Sequence, residues 1–157
     1  SYMTTIGINS FRGCSSLTKL YIPSYVTSVE SSSFEGYSSI PQVSAASSKT
    51  SIEPNVFNGC SSLTQLTISP CVTEIGAFAF IECSSLTQIN ISSSVTAIGD
   101  YAFFGCSSLK EISIPSSVTK IGSKAFDECQ SLKKVTVPSS IYSKDIGFPS
   151  NAKVKKI

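Results

Sequence analysis

The sequence predicts a mostly β repeat solenoid of about seven 23-residue coils, and three observations lead there. Cys60, Cys83, Cys106 and Cys129 follow one another at steps of 23, Cys14 lies 46 before Cys60, and Tyr37 fills the missing rung. The same step superposes whole apolar columns: Leu17, Ile40, Leu63, Leu86, Leu109, Leu132; then Leu20, Val43, Leu66, Ile89, Ile112, Val135; and Phe11, Phe34, Phe57, Phe80, Phe103, Phe126. Each unit also passes from period-2 alternation into a Pro/Ser turn and then a glycine, a grammar of short strands and corners.

The coil from Phe103 to Phe126 shows why each piece forms. Lys110–Ile114 alternates apolar and polar residues, so it reads as a short strand with Ile112 and Ile114 inward and Lys110, Glu111 and Ser113 outward. Pro115 removes a backbone donor and, with Ser116 and Ser117, turns the chain. Val118 and Ile121 mark a second extended piece, closed by Gly122, where a positive φ is expected. Ala125 and Phe126 have room for no more than a short helical turn on the return side. One coil cannot bury its own apolar face. Stacked coils about 4.8 Å apart bury identical side chains in ladders, with neighbouring strands parallel and in register.

Residues 1–157 therefore read as one solenoid domain with incomplete first and last coils. The second coil is the weakest rung, because Pro41, Ala45 and Lys49 replace stronger strand or core residues. At the C-terminus, Asn151–Ile157 echoes Cys129–Val135, which would set Lys155 beside Lys133, Lys156 beside Lys134, and Ile157 inward.

Composition narrows the function. The chain has no His, which removes Ser-His-Asp and Cys-His catalysis and His-containing metal sites. Neither a catalytic residue, a metal nor a cofactor is expected, and the chain reads as a non-enzyme. A net charge of +2 implies neither nucleic acid nor a membrane, and no apolar run approaches spanning length. The N-terminal SYMTTIGINS lacks a signal-peptide pattern, but the chain starts partway through a repeat and reads as a fragment. Charge is segregated: residues 133–157 carry six Lys and one acid, while residues 1–132 sum to −3.

The combination Cys106-Ser107-Ser108-Leu109, Ile112-Ser113-Ile114-Pro115, Val118-Thr119-Lys120-Ile121-Gly122 and Ala125-Phe126 resembles the BspA-like leucine-rich-repeat family along essentially the whole chain. The resemblance implies a leucine-rich-repeat solenoid with a concave parallel sheet, cut from a cell-surface or secreted protein of a mucosal bacterium or protist. It also implies adhesion and binding of host matrix or surface proteins, although fold alone does not fix function.

Five cysteines (Cys14, Cys60, Cys83, Cys106, Cys129) share one repeat position with Tyr37, and interchange with Tyr argues for packing rather than chemistry. Ligands spaced along a ladder line up instead of surrounding an ion. Cys71, in the turn, is expected to be exposed. The outward strand positions are the binding candidates: Tyr21, Gln65, Gln88 and Asn90 along the sheet, then Lys110, Glu111, Lys133, Lys134, Lys155 and Lys156 in the last coils. The lysines suit an acidic glycan or acidic protein stretch, yet Lys on a terminal strand also guards against edge-to-edge pairing. Asn90-Ile91-Ser92 is a glycosylation sequon whose Asn faces outward. Two functions follow: a protein- or glycan-binding adhesion module, or a structural spacer with no ligand of its own. Self-association through open solenoid ends is a further expectation.

Overall fold

The computed structural model describes residues 4–11, 14, 17–39, 42–45, 50–141 and 144–157. Ile40, Pro41 and Lys49, named above, lie outside the described residues.

The chain winds as a succession of short strands that form two walls. The first wall holds β2 (Leu20–Ile22), β4 (Gln42–Ala45), β6 (Gln65–Thr67), β8 (Gln88–Asn90), β10 (Glu111–Ser113), β12 (Lys134–Val137) and β13 (Lys153–Lys156). The second holds β1 (Thr5–Ile6), β3 (Ser28–Val29), β5 (Ser51–Ile52), β7 (Glu74–Ile75), β9 (Ala97–Ile98) and β11 (Lys120–Ile121). All ladder pairings are parallel and keep the 23-residue step through β12, as in Leu66↔Ile89, Ile112↔Val135 and Ile75↔Ile98.

Between the walls lies a core made of ladders. The phenylalanine column stacks almost face to face, with ring centroids 5.2 Å apart for Phe34–Phe57, 5.3 Å for Phe57–Phe80, 5.1 Å for Phe80–Phe103 and 5.2 Å for Phe103–Phe126. Phe148 extends it, 5.1 Å from Phe126. Its spacing of 22 rather than 23 hid it from the repeat register. On the outer side of the second wall the hydroxyls of Thr73, Thr96 and Thr119 each donate to the carbonyl of the threonine one coil earlier, at 3.0, 3.1 and 3.3 Å. This column also escaped the apolar pattern, because its register is polar.

The return side consists of tight turns in place of regular helix. Among the described residues, 3₁₀ helix is confined to Ser139–Ile141 and Lys144–Ile146 in the last coil. The turns need two left-handed residues per coil. One series is Asn9, Ser32, Asn55, Phe78, Tyr101 and Lys124; the other includes Gly36, Gly59, Glu82, Gly105 and Glu128. Gly122, expected to carry the positive φ, does not appear among them. Its missing side chain serves a close approach of two coils instead: a Cβ there would lie 2.5 Å from the Gly99 carbonyl carbon and closer still to the Asp100 nitrogen.

The last coil corrects the expected C-terminal register. Pairing runs Lys134↔Lys153, Val135↔Val154, Thr136↔Lys155 and Val137↔Lys156, so β13 arrives 19 residues after its partner. Lys155 therefore does not stand beside Lys133, nor Lys156 beside Lys134. Val154 takes the core position, and Ile157, expected inward, is 54% exposed. The cause is a shortened return. Ile146 accepts the bond from the Phe126 amide that Ala125 accepts from Phe103 one coil earlier, and Ala152 closes on Pro149 as Leu132 closes on Cys129.

A cavity of about 40 Å³ lies among Ile22, Ile52, Val56, Ile68 and Val72, in the coils on either side of β4.

Candidate functional site

The first wall presents its outward side chains in columns set by strand pairing. Gln42, Gln65 and Gln88 form one, continued by Glu111, Lys134 and Lys153; Thr67 and Asn90 form the next, continued by Ser113, Thr136 and Lys155. Lys110 and Lys133 precede their strands at equivalent positions, where the Lys133 amide donates to the Lys110 carbonyl at 2.9 Å. Tyr21, Gln65, Gln88, Asn90, Lys110, Glu111, Lys133, Lys134, Lys155 and Lys156 are all exposed. Tyr21 sits alone at the far end of the wall on β2, well separated in sequence and in strand order from the lysines of β12 and β13. Lys153, which sequence reasoning left out of the site, joins it; the alternation Lys153-Val154-Lys155 was the available signal.

The wall is not uniform. Ladder pairing joins β2-β4-β6-β8 and separately β10-β12-β13, leaving a seam between β8 and β10. The seam is confined to this face, because Thr119 still donates to Thr96 and Gly122 to Ile98 across the same two coils on the second wall. Two open depressions flank it. One of about 570 Å³ is bounded by Gln88, Asn90, Glu111, Ser113, Lys134 and Thr136. The other, about 550 Å³, is bounded by Thr87, Lys110, Glu111, Ser131, Lys133 and Lys134. Lys134 Nζ lies 3.8 Å from Glu111 Oε2, an exposed pair of small energetic weight.

The ladder cysteines lie in the core and, among the described residues, belong to no cluster that could hold a metal ion. Cys60, Cys83, Cys106 and Cys129 are buried, and each thiol donates to the carbonyl of the phenylalanine 26 residues earlier, at 3.0, 3.1, 3.2 and 3.1 Å. Tyr37, at the same repeat position, points its hydroxyl at the Cys14 carbonyl, 23 rather than 26 residues earlier, so it too bonds to the preceding coil's backbone but through a different acceptor. Cys14 is half-buried and Cys71 exposed. Burial, followed by the nearby Cys129, pushes the Cys106 thiol well up; for Cys83 the Cys60 thiol acts first, then burial. Burial pushes Cys129 from 9.0 to about 12. These thiols are protonated and unreactive near neutrality. The folded chain holds these protons more tightly than the unfolded chain, so the stability they contribute is complete below about 9.0 and lost as pH rises toward 12. Melting temperature is expected to fall progressively above pH ~9, less steeply for Cys129→Ala than for the wild-type chain. A thiol-specific reagent at neutral pH should label Cys71 at once and the four buried cysteines only on unfolding.

The recurrent serines bridge coils as well. Ser107 Oγ donates to the Ser84 carbonyl at 3.4 Å, and Ser62 Oγ donates to that of Ser38. They hold turns together, as a residue repeated in nearly every coil should.

A parallel β-solenoid whose 23-residue coils each bury leucine and isoleucine ladders beside the strand is the architecture of a leucine-rich-repeat protein. The sequence profile of the BspA type leucine rich repeat region matches six copies over residues 1–110 and 73–157, and the chain belongs to that family. A leucine-rich repeat protein of Bacteroides ovatus superposes with a TM-score of 0.84 at 32% identity, covering 98% of this chain and 40% of its own. The T. pallidum leucine rich repeat protein superposes at 0.73 with 34% identity, covering 75% of this chain and 57% of its own. A leucine rich cell surface protein of Faecalibacterium prausnitzii shares the fold at 0.67 with 24% identity, over 98% of this chain and 51% of its own. The chain thus spans about half the length of these structures, or less. No curated protein matches it.

Proposed function

We propose that the chain is a non-catalytic binding or adhesion module of a cell-surface or secreted protein, taking a protein segment or a glycan on the strand face of the first wall. The observation that carries this reading is the seam between β8 and β10, where an interruption of pairing on that wall coincides with two adjoining depressions rimmed by exposed polar and charged side chains. Support for the location comes from the family and from the F. prausnitzii relative described as a cell surface protein. A host matrix or surface protein and an acidic glycan both suit such a face.

The test is a screen of immobilised matrix proteins and glycans against the wild-type chain, Asn90→Trp and Glu74→Trp. Asn90 is exposed on β8 at the seam, and Glu74 is exposed on β7 of the other wall. Binding abolished by Asn90→Trp and kept by Glu74→Trp is the expected result. A chain that holds no ligand is a spacer, and one that holds a ligand indifferently to Asn90→Trp binds it away from the strand face.

A further inference from the structure

We propose that the seam between β8 and β10 is the centre of a site for an anionic polysaccharide, whose sulfate or carboxylate groups lie against the lysines of the last three coils; this deepens the strand-face reading and rests on it.

Charge comes first. The chain has ten acids, and of these only Glu111 lies on the strands of the first wall. That wall and the residues leading into it carry Lys110, Lys133, Lys134, Lys153 and Lys155 within three neighbouring coils. Lys134 is 77% exposed, so its ammonium is available to solvent-borne anions. Strands stand about 4.8 Å apart, so lysines on adjacent coils present positive charge at a regular, closely spaced interval. A polymer with repeating anionic groups can engage several at once, whereas a single small anion meets one or two. Summed weak contacts on one chain are how such a surface gains useful affinity.

The neutral lining selects sugar over peptide. Gln88, Asn90, Ser113 and Thr136 supply amide and hydroxyl groups matched to the hydroxyls of a glycan. Peptide-binding surfaces depend on aromatic or aliphatic anchors held in pockets. Among the described residues the large exposed apolar side chains are Ile8, Leu17, Tyr21, Tyr25, Phe78 and Ile157, and none of them lines either depression. The isoleucines at the seam, Ile89 and Ile112, are only 6% and 4% exposed and form its floor.

Glu111 gives the site a sign-sensitive probe. Its carboxylate lies among the lysines, 3.8 Å from Lys134, so it opposes a bound anion and holds one ammonium back. Removing its charge should tighten binding. Removing the charge of Lys133 or Lys134 should weaken it.

The experiment compares charge-matched variants on heparin, which is sulfated, and on polygalacturonate, which carries carboxylates alone. Polyglutamate serves as the acidic-peptide arm. Lys134→Gln is paired with Lys120→Gln on β11, and Glu111→Gln with Glu74→Gln on β7; each pair changes net charge equally on opposite walls. Kd at about 0.1 M salt, where exposed charges are screened beyond roughly 10 Å, is the readout. We expect Lys134→Gln to bind about two- to fivefold more weakly than Lys120→Gln, and Glu111→Gln tighter than Glu74→Gln by a similar factor, the size of one exposed ion pair. A difference on heparin alone assigns sulfate, and one on both polysaccharides assigns any anionic sugar. Matched pairs that bind alike, no binding to either polysaccharide, or an equal difference on polyglutamate overturns the proposal. A matrix protein whose binding is still abolished by Asn90→Trp would, in that event, leave the strand-face reading standing.

Discussion

Phe103→Ala is expected to destabilise the chain by about 4–5 kcal/mol, the upper end of the range for losing a buried aromatic ring. Phe103 is fully buried, with Phe80 stacked at 5.1 Å on one side and Phe126 at 5.2 Å on the other. Deleting the ring removes its own transfer energy and both stacking contacts. The hole cannot close, because the coils on either side are pinned at the same level: the Phe103 amide donates to Ala125 at 2.8 Å, and the Phe80 amide donates to Ala102 at 2.8 Å. The Cys129 thiol also rests on the Phe103 carbonyl at 3.1 Å, so backbone relaxation would break a further contact. Phe148→Ala, at the half-buried end of the same stack, should cost about 2 kcal/mol. Urea denaturation of both variants checks this. Hydrogen exchange should place the Phe103→Ala loss in the coils next to it, since coils contact only their neighbours. Equal costs for the two would show that the column is not the main brace of the core.

Much of this architecture is written in the sequence because every coil repeats the same packing problem. A column such as Leu63, Leu86, Leu109 and Leu132 declares itself by recurrence, and parallel in-register pairing follows from it. The cysteines were legible for the same reason: Tyr37 in a thiol column signals a packing role, and the structure adds the shared bond to the preceding coil's backbone. What escaped lies where recurrence fails or where the backbone decides. The last coil shortens by degrees, so Phe148 stacks at a step of 22 and Lys153 pairs at a step of 19, and no fixed period aligns both. The seam between β8 and β10 has no counterpart in composition, since Gln88-Ile89-Asn90 and Glu111-Ile112-Ser113 read as equivalent strands. The candidate site was therefore half visible. Its outward residues came from alternation, a signal that Lys153-Val154-Lys155 also carries, but its centre required the fold. The glycine position misled for a related reason, because a residue tolerating positive φ and a residue lacking Cβ look the same in a sequence.

Gly122→Ala tests that last distinction and should cost about 3 kcal/mol, large for one added methyl group. The methyl would lie 2.5 Å from the Gly99 carbonyl carbon, far inside van der Waals contact, and two of the three atoms nearest it are backbone that cannot swing away. Asp100 adds to the conflict, since its carboxylate occupies the same space while accepting the Ser123 amide at 2.8 Å. Relief requires the two coils to part where Gly122 donates to Ile98 at 2.8 Å, which strains the second wall. Gly36→Ala is the informative contrast. Gly36 has φ +66 with nothing within 4 Å of a Cβ, so only the left-handed conformation opposes the change, at about 1 kcal/mol. If conformational freedom were what the repeat requires of Gly122, the two substitutions would cost the same. If steric approach is the requirement, Gly122→Ala loses about two to three times as much in a thermal or urea melt. Glu30 and Glu53 occupy the Gly122 position in the second and third coils, so the chain tolerates a side chain there only where the coils are built to receive it. The same close approach recurs at Gly76 and Gly99, where a Cβ would lie 2.6 Å from the Ile52 carbonyl oxygen and 2.5 Å from the Ala77 nitrogen, whereas at Gly7 it would meet nothing nearer than 3.7 Å.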